Sequence, residues 1–219
     1  RAAALMTMVR SKRSYIPLTI ETFKVAKQME EELGETLDFK VVGMMHVAAS
    51  EAKVKDLEDL MAIAKEYEQE AYYITKEEAQ KKAPWLKVDE AMKIGFVPNE
   101  AYCDPYMLGT FFARCARKHG ATIRQGVEVL GLICEGNNVK GVKTAEGDIY
   151  AETVVDAAGV WAPILAKEIG SGLPMAPVRS QYWITERADI FPIYSPMVLL
   201  PDAQAYARPE GGSLLFGIR

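Results

Sequence analysis

Cysteine and histidine are scarce. The 219 residues hold three cysteines, Cys103, Cys115 and Cys134, and two histidines, His46 and His119. An odd cysteine count with no C-x-x-C pair encodes neither a disulfide framework nor a zinc cluster, so the cysteines read as core residues and a reducing cytoplasm is the default compartment. The histidines stand far apart without ligand-spaced partners, and no metal site is expected. Long apolar runs are missing as well. Val154 to Ala166 is broken by Asp156, Gly159 and Pro163 and falls short of the roughly 18 residues that a membrane span needs, so no transmembrane segment is expected. Positive charge is not in excess: 26 basic against 30 acidic residues leave a net charge of −4, with no basic block to follow a phosphate backbone, which argues against nucleic acid as a partner. Gly-x-Gly-x-x-Gly, the turn that brings a pyrophosphate to a helix amino terminus, occurs nowhere. Gly170-Ser-Gly172 precedes Leu-Pro-Met and reads as a loop. The chain opens on Arg1 without a charged leader or cleavage site and reads as the interior of a longer one.

What is present suits a globular fold, with 49% apolar and 26% charged residues. Apolar positions from Ser14 to Leu33 fall at helical spacing and Gly34 supplies a stop. Lys40 to Val47 reads as a strand. An amphipathic stretch follows, with Leu57, Leu60, Met61, Ala64 and Tyr67 on one side and Glu58, Asp59, Glu66 and Glu70 on a solvated face. Thr75-Lys-Glu-Glu78 is a capping box opening a short helix that Pro84 ends, and Ala91 to Val97 reads as a strand. Asp104-Pro105 starts a helix that runs to about Lys118 and closes at Gly120. Short β-branched segments come next, at Thr122 to Gln125, Val127 to Cys134, Val139 to Thr144 and Ile149 to Asp156, separated by glycine and asparagine turns. The strand Thr153 to Val155 leads into Ala157-Ala-Gly159 and a short helix to Ile169. Val178 to Glu186, Pro196 to Leu200, Ala203 to Arg208 and Ser213 to Ile218 finish as strands. The fold class is mixed α and β.

An apolar strand running into Ala-Ala-Gly and a helix puts small residues and free amides where a cofactor can approach the backbone, and it is equally an ordinary strand-to-helix turn. The order of its neighbours adds to this. Tyr102-Cys-Asp-Pro105 before a helix, His119-Gly-Ala-Thr-Ile123, Val127-Glu-Val129, Val139-Lys-Gly-Val142, the Ala-Ala-Gly-Val-Trp turn, Leu173-Pro-Met-Ala-Pro-Val-Arg-Ser-Gln-Tyr182, Tyr206-Ala-Arg-Pro209 and Gly211-Gly-Ser-Leu-Leu-Phe-Gly217 together resemble the FAD-dependent amine and amino-acid oxidoreductases of the D-amino-acid oxidase, glycine oxidase and sarcosine oxidase type. The resemblance spans nearly the whole chain and is strongest from Ala101 to Gly217.

That resemblance implies an internal fragment of such an enzyme: a substrate domain with a large antiparallel sheet plus part of a Rossmann-type FAD domain. Residues of about 101–172 would contribute to the FAD-binding part, and about 35–100 and 173–219 to the substrate domain. The implied activity is oxidation of the C–N bond of a small amine or amino acid of the sarcosine, glycine, proline or D-amino-acid type. The cofactor would be FAD and the partner a small-molecule amine; homo- or hetero-oligomers stay open, and the fragment alone is expected to be inactive. Val129 resembles the valine whose backbone faces adenine, and Ala158, Gly159 and Trp161 the loop near the flavin. Met8-Val-Arg10-Ser11 resembles a segment whose arginine holds a substrate carboxylate, a task suited to a planar, permanently charged fork. Tyr206 and Arg208 stand where relatives place substrate-pocket side chains, and alternation along a strand points them to one face. Arg179 and Tyr182 rank behind them. Ser180 stands where subfamilies resembling dimethylglycine dehydrogenase often carry histidine, which speaks against that substrate. The competing readings are a non-catalytic substrate-binding or scaffold domain, and a related flavoprotein that oxidises a hydroxy acid or polyol phosphate.

Overall fold

The computed structural model describes residues 3–218. In chain order the elements are β1 (Leu5–Met6), α1 (Ile16–Leu33), β2 (Lys40–Val41), β3 (Met44–Ala48), α2 (Glu51–Glu66), β4 (Tyr72–Tyr73), α3 (Lys76–Lys82), β5 (Lys93–Val97), β6 (Ala101–Tyr102), α4 (Pro105–Lys118), β7 (Val129–Glu135), β8 (Asn138–Thr144), β9 (Ile149–Tyr150), α5 (Ala162–Glu168), β10 (Tyr182–Ile184), β11 (Met197–Leu200), β12 (Ala205–Glu210) and β13 (Ser213–Ile218). Thr122–Arg179 form one compact unit, and the described residues on either side of them form the other.

Local chemistry sets most helix ends. Gly34 closes α1 in the left-handed region at φ 65°, where a residue without Cβ carries no steric penalty. At α3 the Glu78 amide donates to Thr75 Oγ1 at 3.1 Å while the Thr75 amide donates to the Glu78 carboxylate at 2.8 Å, a reciprocal cap. Thr75→Ala is expected to lower stability by about 1 kcal/mol, read as a lower urea midpoint; an unchanged midpoint would show that the cap carries nothing. Asp104 accepts the Tyr106 amide at 2.8 Å, and Pro105 takes the first turn of α4, where its missing donor is harmless.

The larger unit is built on a seven-stranded sheet of order β10-β13-β12-β11-β3-β5-β4. Every pairing is antiparallel except β11 with β3, which is parallel. One face carries Met45, Val47, Ile94, Phe96 and Val198, packed with Ala79, Ala83 and Leu86 from α3 and its following loop. On the other face, cross-strand registers line up one row: Tyr73, Gly95, His46, Leu199, Tyr206, Gly217 and Tyr182. Helix α2 covers one end of that row, where Leu57 and Met61 close on Gly95 so tightly that a side chain there would collide. A small sheet of order β1-β6-β2 and the α1–α4 cluster of Ala26, Met29, Leu37, Phe111 and Cys115 complete the unit.

The expected strand from Lys40 to Val47 is two strands in two sheets. Gly43 takes φ 73°, which turns the chain out of one ladder and into the other. In the smaller unit, β7, β8 and β9 form an antiparallel meander, and α5 packs on β7, where the Leu132 amide donates to the Glu168 carboxylate at 2.9 Å. Neither Thr122 to Gln125 nor Thr153 to Val155 is a strand. Their β-branched composition favours extended backbone, but a strand also needs a ladder, and neither finds one among the described residues. Val178 to Glu186 likewise narrows to β10. Cys103 and Cys115 are buried as expected, whereas Cys134 is exposed, because it lies at the end of β7 beside the hairpin turn.

Candidate functional site

Two cavities open in the larger unit. The first, of about 1150 Å³, includes Lys40, Tyr102, Cys103, Tyr182, Arg208 and Glu210 in its lining. Arg208 is only 6% exposed, and its Nε and Nη1 donors are engaged. Nε donates to the Ala3 carbonyl at 2.7 Å, Nη1 donates to the Pro209 carbonyl at 2.9 Å and to the Glu210 carboxylate, and the guanidinium lies 4.7 Å from the centroid of the Tyr102 ring. Lys40 is paired with Asp38 at 2.6 Å. Burial pushes the Cys103 thiol up, so it is a protonated wall atom and not a nucleophile.

The second cavity, of about 910 Å³, lies between the segment before α1, strand β3, helix α2 and the end of β11; Thr7, Val9, Arg10, His46, Lys53 and Leu199 are among its walls. Its cations differ in what they touch. Lys53 is paired with Asp56 at 2.7 Å and Arg13 with Glu66 at 2.9 Å, and Lys12 rests on the Tyr15 ring. Arg10 is exposed and, among the described residues, makes no ion pair, hydrogen bond or ring contact. A guanidinium in a concave wall with all its donors open is the group that would take an anion.

The three expected substrate residues therefore do not share one cavity. Arg10 lines the second and Arg208 the first. Tyr206 lines neither: it is buried, its ring lies over Gly217, and its hydroxyl makes no hydrogen bond among the described residues. Tyr206 and Arg208 do stand on one face of β12, and Tyr206 is the cross-strand partner of Leu199, which lines the Arg10 cavity beside His46. Sequence reasoning passed over His46 as anything but a weak metal ligand. It also passed over Glu100, which is fully buried. A lone acid between Asn99 and Ala101 has no spacing or partner in the sequence to mark it.

In the smaller unit Val129 begins β7 at a bulge, and Ala158, Gly159 and Trp161 form the turn into α5, with Gly159 at φ 58°. Val155 is 82% exposed and Trp161 67%, with Val160 and Ile164 also open to solvent. Exposed apolar side chains beside small-residue backbone are chemically suited to contact an apolar partner. A phosphate-cradling glycine turn is not among these residues. No three His, Cys, Asp or Glu side chains gather to hold a metal among the described residues, and no helix among them is long and apolar enough to cross a membrane.

Comparison with known proteins gives these elements a context. Human mitochondrial dimethylglycine dehydrogenase is 28% identical over 219 residues, covering 99% of this chain and 25% of the relative. Human mitochondrial sarcosine dehydrogenase is 28% identical over 221 residues, covering 98% and 24%. The chain thus spans about a quarter of the length of these curated relatives. Among solved structures, L-proline dehydrogenase from P. horikoshii superposes with a TM-score of 0.83 at 24% identity, covering 99% of this chain and 58% of that one. Glycine oxidase from Geobacillus kaustophilus gives 0.80 at 23%, covering 98% and 59%. Both share the mixed α and β fold. The sequence-family model described as FAD dependent oxidoreductase matches residues 1–219, and the chain belongs to that family.

Proposed function

We infer that the chain is the central part of a flavin-dependent enzyme that oxidises the C–N bond of a small amino acid or amine bearing a carboxylate. The carrying observation is Arg10, the cation of the second cavity that makes no ion pair, hydrogen bond or ring contact among the described residues. The relatives are named for dimethylglycine, sarcosine, proline and glycine, each an amine beside a carboxylate, and a free guanidinium is the complement of that carboxylate.

In this reading Arg10 anchors the carboxylate and the Tyr206 hydroxyl, in the same row of the sheet as Leu199 and His46, orients the amine. Arg208, held by three acceptors and a ring, shapes the neighbouring wall. Val129, Ala158, Gly159 and Trp161 would hold FAD, which supplies the electron acceptor when bound. The stretch of about 101–172 assigned to the FAD side includes most of the compact unit Thr122–Arg179, and the seven-stranded sheet supplies the substrate side. Three free cysteines suit a reducing compartment, cytoplasmic as first expected or mitochondrial like the human relatives.

The test is an anaerobic panel of amines, amino acids, hydroxy acids and polyol phosphates on the full-length protein with no added electron acceptor. Bleaching of the flavin band by a small amino acid is expected. A protein that stays colourless after FAD is added, or one bleached only by hydroxy acids or polyol phosphates, would overturn the reading.

A further inference from the structure

Glu100 is the one fully buried acid among the described residues, and it sits at a junction. Its Oε1 accepts the Val9 amide at 3.1 Å. Its backbone carbonyl accepts the Gly43 amide at 2.9 Å, and the Gly43 carbonyl accepts the Met197 amide at 3.0 Å. One residue thus ties the segment that carries Arg10 to the kink between β2 and β3 and, through it, to the start of β11. The second oxygen, Oε2, is buried with no hydrogen-bond partner among the described residues. An ionised carboxylate there would hold charge that nothing fully offsets. Burial accordingly pushes the carboxyl up to about 8, against the opposing pull of the Val9 amide, the Arg10 charge and the Met8 amide. Among the described residues, Arg10 is the one charged side chain acting on it.

We propose that Glu100 is the positioning residue of the Arg10 cavity: it pins Val9 to the sheet, and its protonation is coupled to the binding of a carboxylate at Arg10. The proposal rests on Arg10 as the carboxylate anchor. With Glu100 neutral, the whole charge of Arg10 is available to a ligand. With Glu100 ionised, the buried anion draws on the same guanidinium and repels the incoming carboxylate. Linkage is reciprocal, so a carboxylate that binds at Arg10 favours the protonated form and takes up a proton from solvent at pH values where Glu100 is partly ionised.

Acetate, the smallest carboxylate, tests this by titration calorimetry on the full-length flavoprotein. Its affinity is expected to fall about fivefold between pH 7 and 9, and paired buffers of different ionisation enthalpy at pH 8 are expected to show net proton uptake. Glu100→Gln, which keeps a carbonyl for Val9 but cannot ionise, is expected to bind acetate with a flat pH profile. The same fall in Glu100→Gln, or no proton uptake by the unmodified protein, would overturn the proposal; the second result needs no variant to fold. Arg10→Gln separates the layers. Acetate binding lost there, with no proton uptake in the unmodified protein, removes the coupling and leaves the anchor. Acetate binding unchanged there removes the anchor and the proposal with it.

Discussion

Arg10→Ala is expected to raise the KM of the full-length enzyme for a carboxylate-bearing amine by about 10- to 100-fold while kcat changes little. The size follows from the 1.5–3 kcal/mol or so that a charge-assisted hydrogen bond contributes, and the split follows from where the group acts. A carboxylate remote from the reacting C–N bond is held equally in ground and transition states, so its loss appears in KM. An analogue in which the carboxylate is replaced by a neutral amide should bind weakly to the unmodified enzyme and be indifferent to the substitution. Arg10→Lys keeps the charge but loses the two-pronged geometry, and should fall between the two. Equal losses for the acid and its amide, or a fall in kcat alone, would show that Arg10 supports the fold or the chemistry and does not read the carboxylate. Arg208→Ala gives the contrast. Its donors already serve Ala3, Pro209 and Glu210, so its loss should show first as instability.

That contrast also marks what the sequence could convey. Thr75 to Glu78, Asp104-Pro105 and Gly34 were legible because each rests on groups within a few residues of one another. The kink at Gly43 was not, since Lys40 to Val47 is continuously strand-like in composition and only the two separate ladders show that it divides. Thr153 to Val155 failed for the same reason in reverse: extended propensity was present and a pairing partner among the described residues was not. For the site, Arg10 could be nominated by resemblance, but its freedom could not. Lys53 with Asp56 is a local pair that spacing suggests, whereas Arg13 meets Glu66 across 53 positions and Arg208 meets Ala3 across 205. Which cation stays open is a property of the folded arrangement. Glu100 was invisible because its significance lies in the burial of an isolated acid.

That burial makes stability depend on pH in a definite direction. The carboxyl of Glu100 stands at about 8 against an ordinary 4.5. Below the ordinary value it is protonated in both folded and unfolded chains, and its contribution is fully present. Between about 4.5 and 8 the unfolded chain releases the proton while the folded one keeps it, so stability falls as pH rises. Above the folded value both forms are ionised and the loss levels off. The slope is roughly 1 kcal/mol per pH unit, which amounts to a few kcal/mol across the window. Glu100→Gln fills the same space without a titrating proton, so its stability should lack this component. The difference in urea stability between the two proteins should therefore move in favour of the glutamine variant as pH rises from 5 to 8 and stay constant beyond about 9. Other groups titrate in the same range, but they are common to both proteins and cancel in the difference. A difference independent of pH would mean that water reaches Oε2 and the acid is not held neutral. A difference moving the opposite way would mean that Arg10 closes on Glu100 as an ion pair, and Arg10 would then be committed to the protein's own carboxylate.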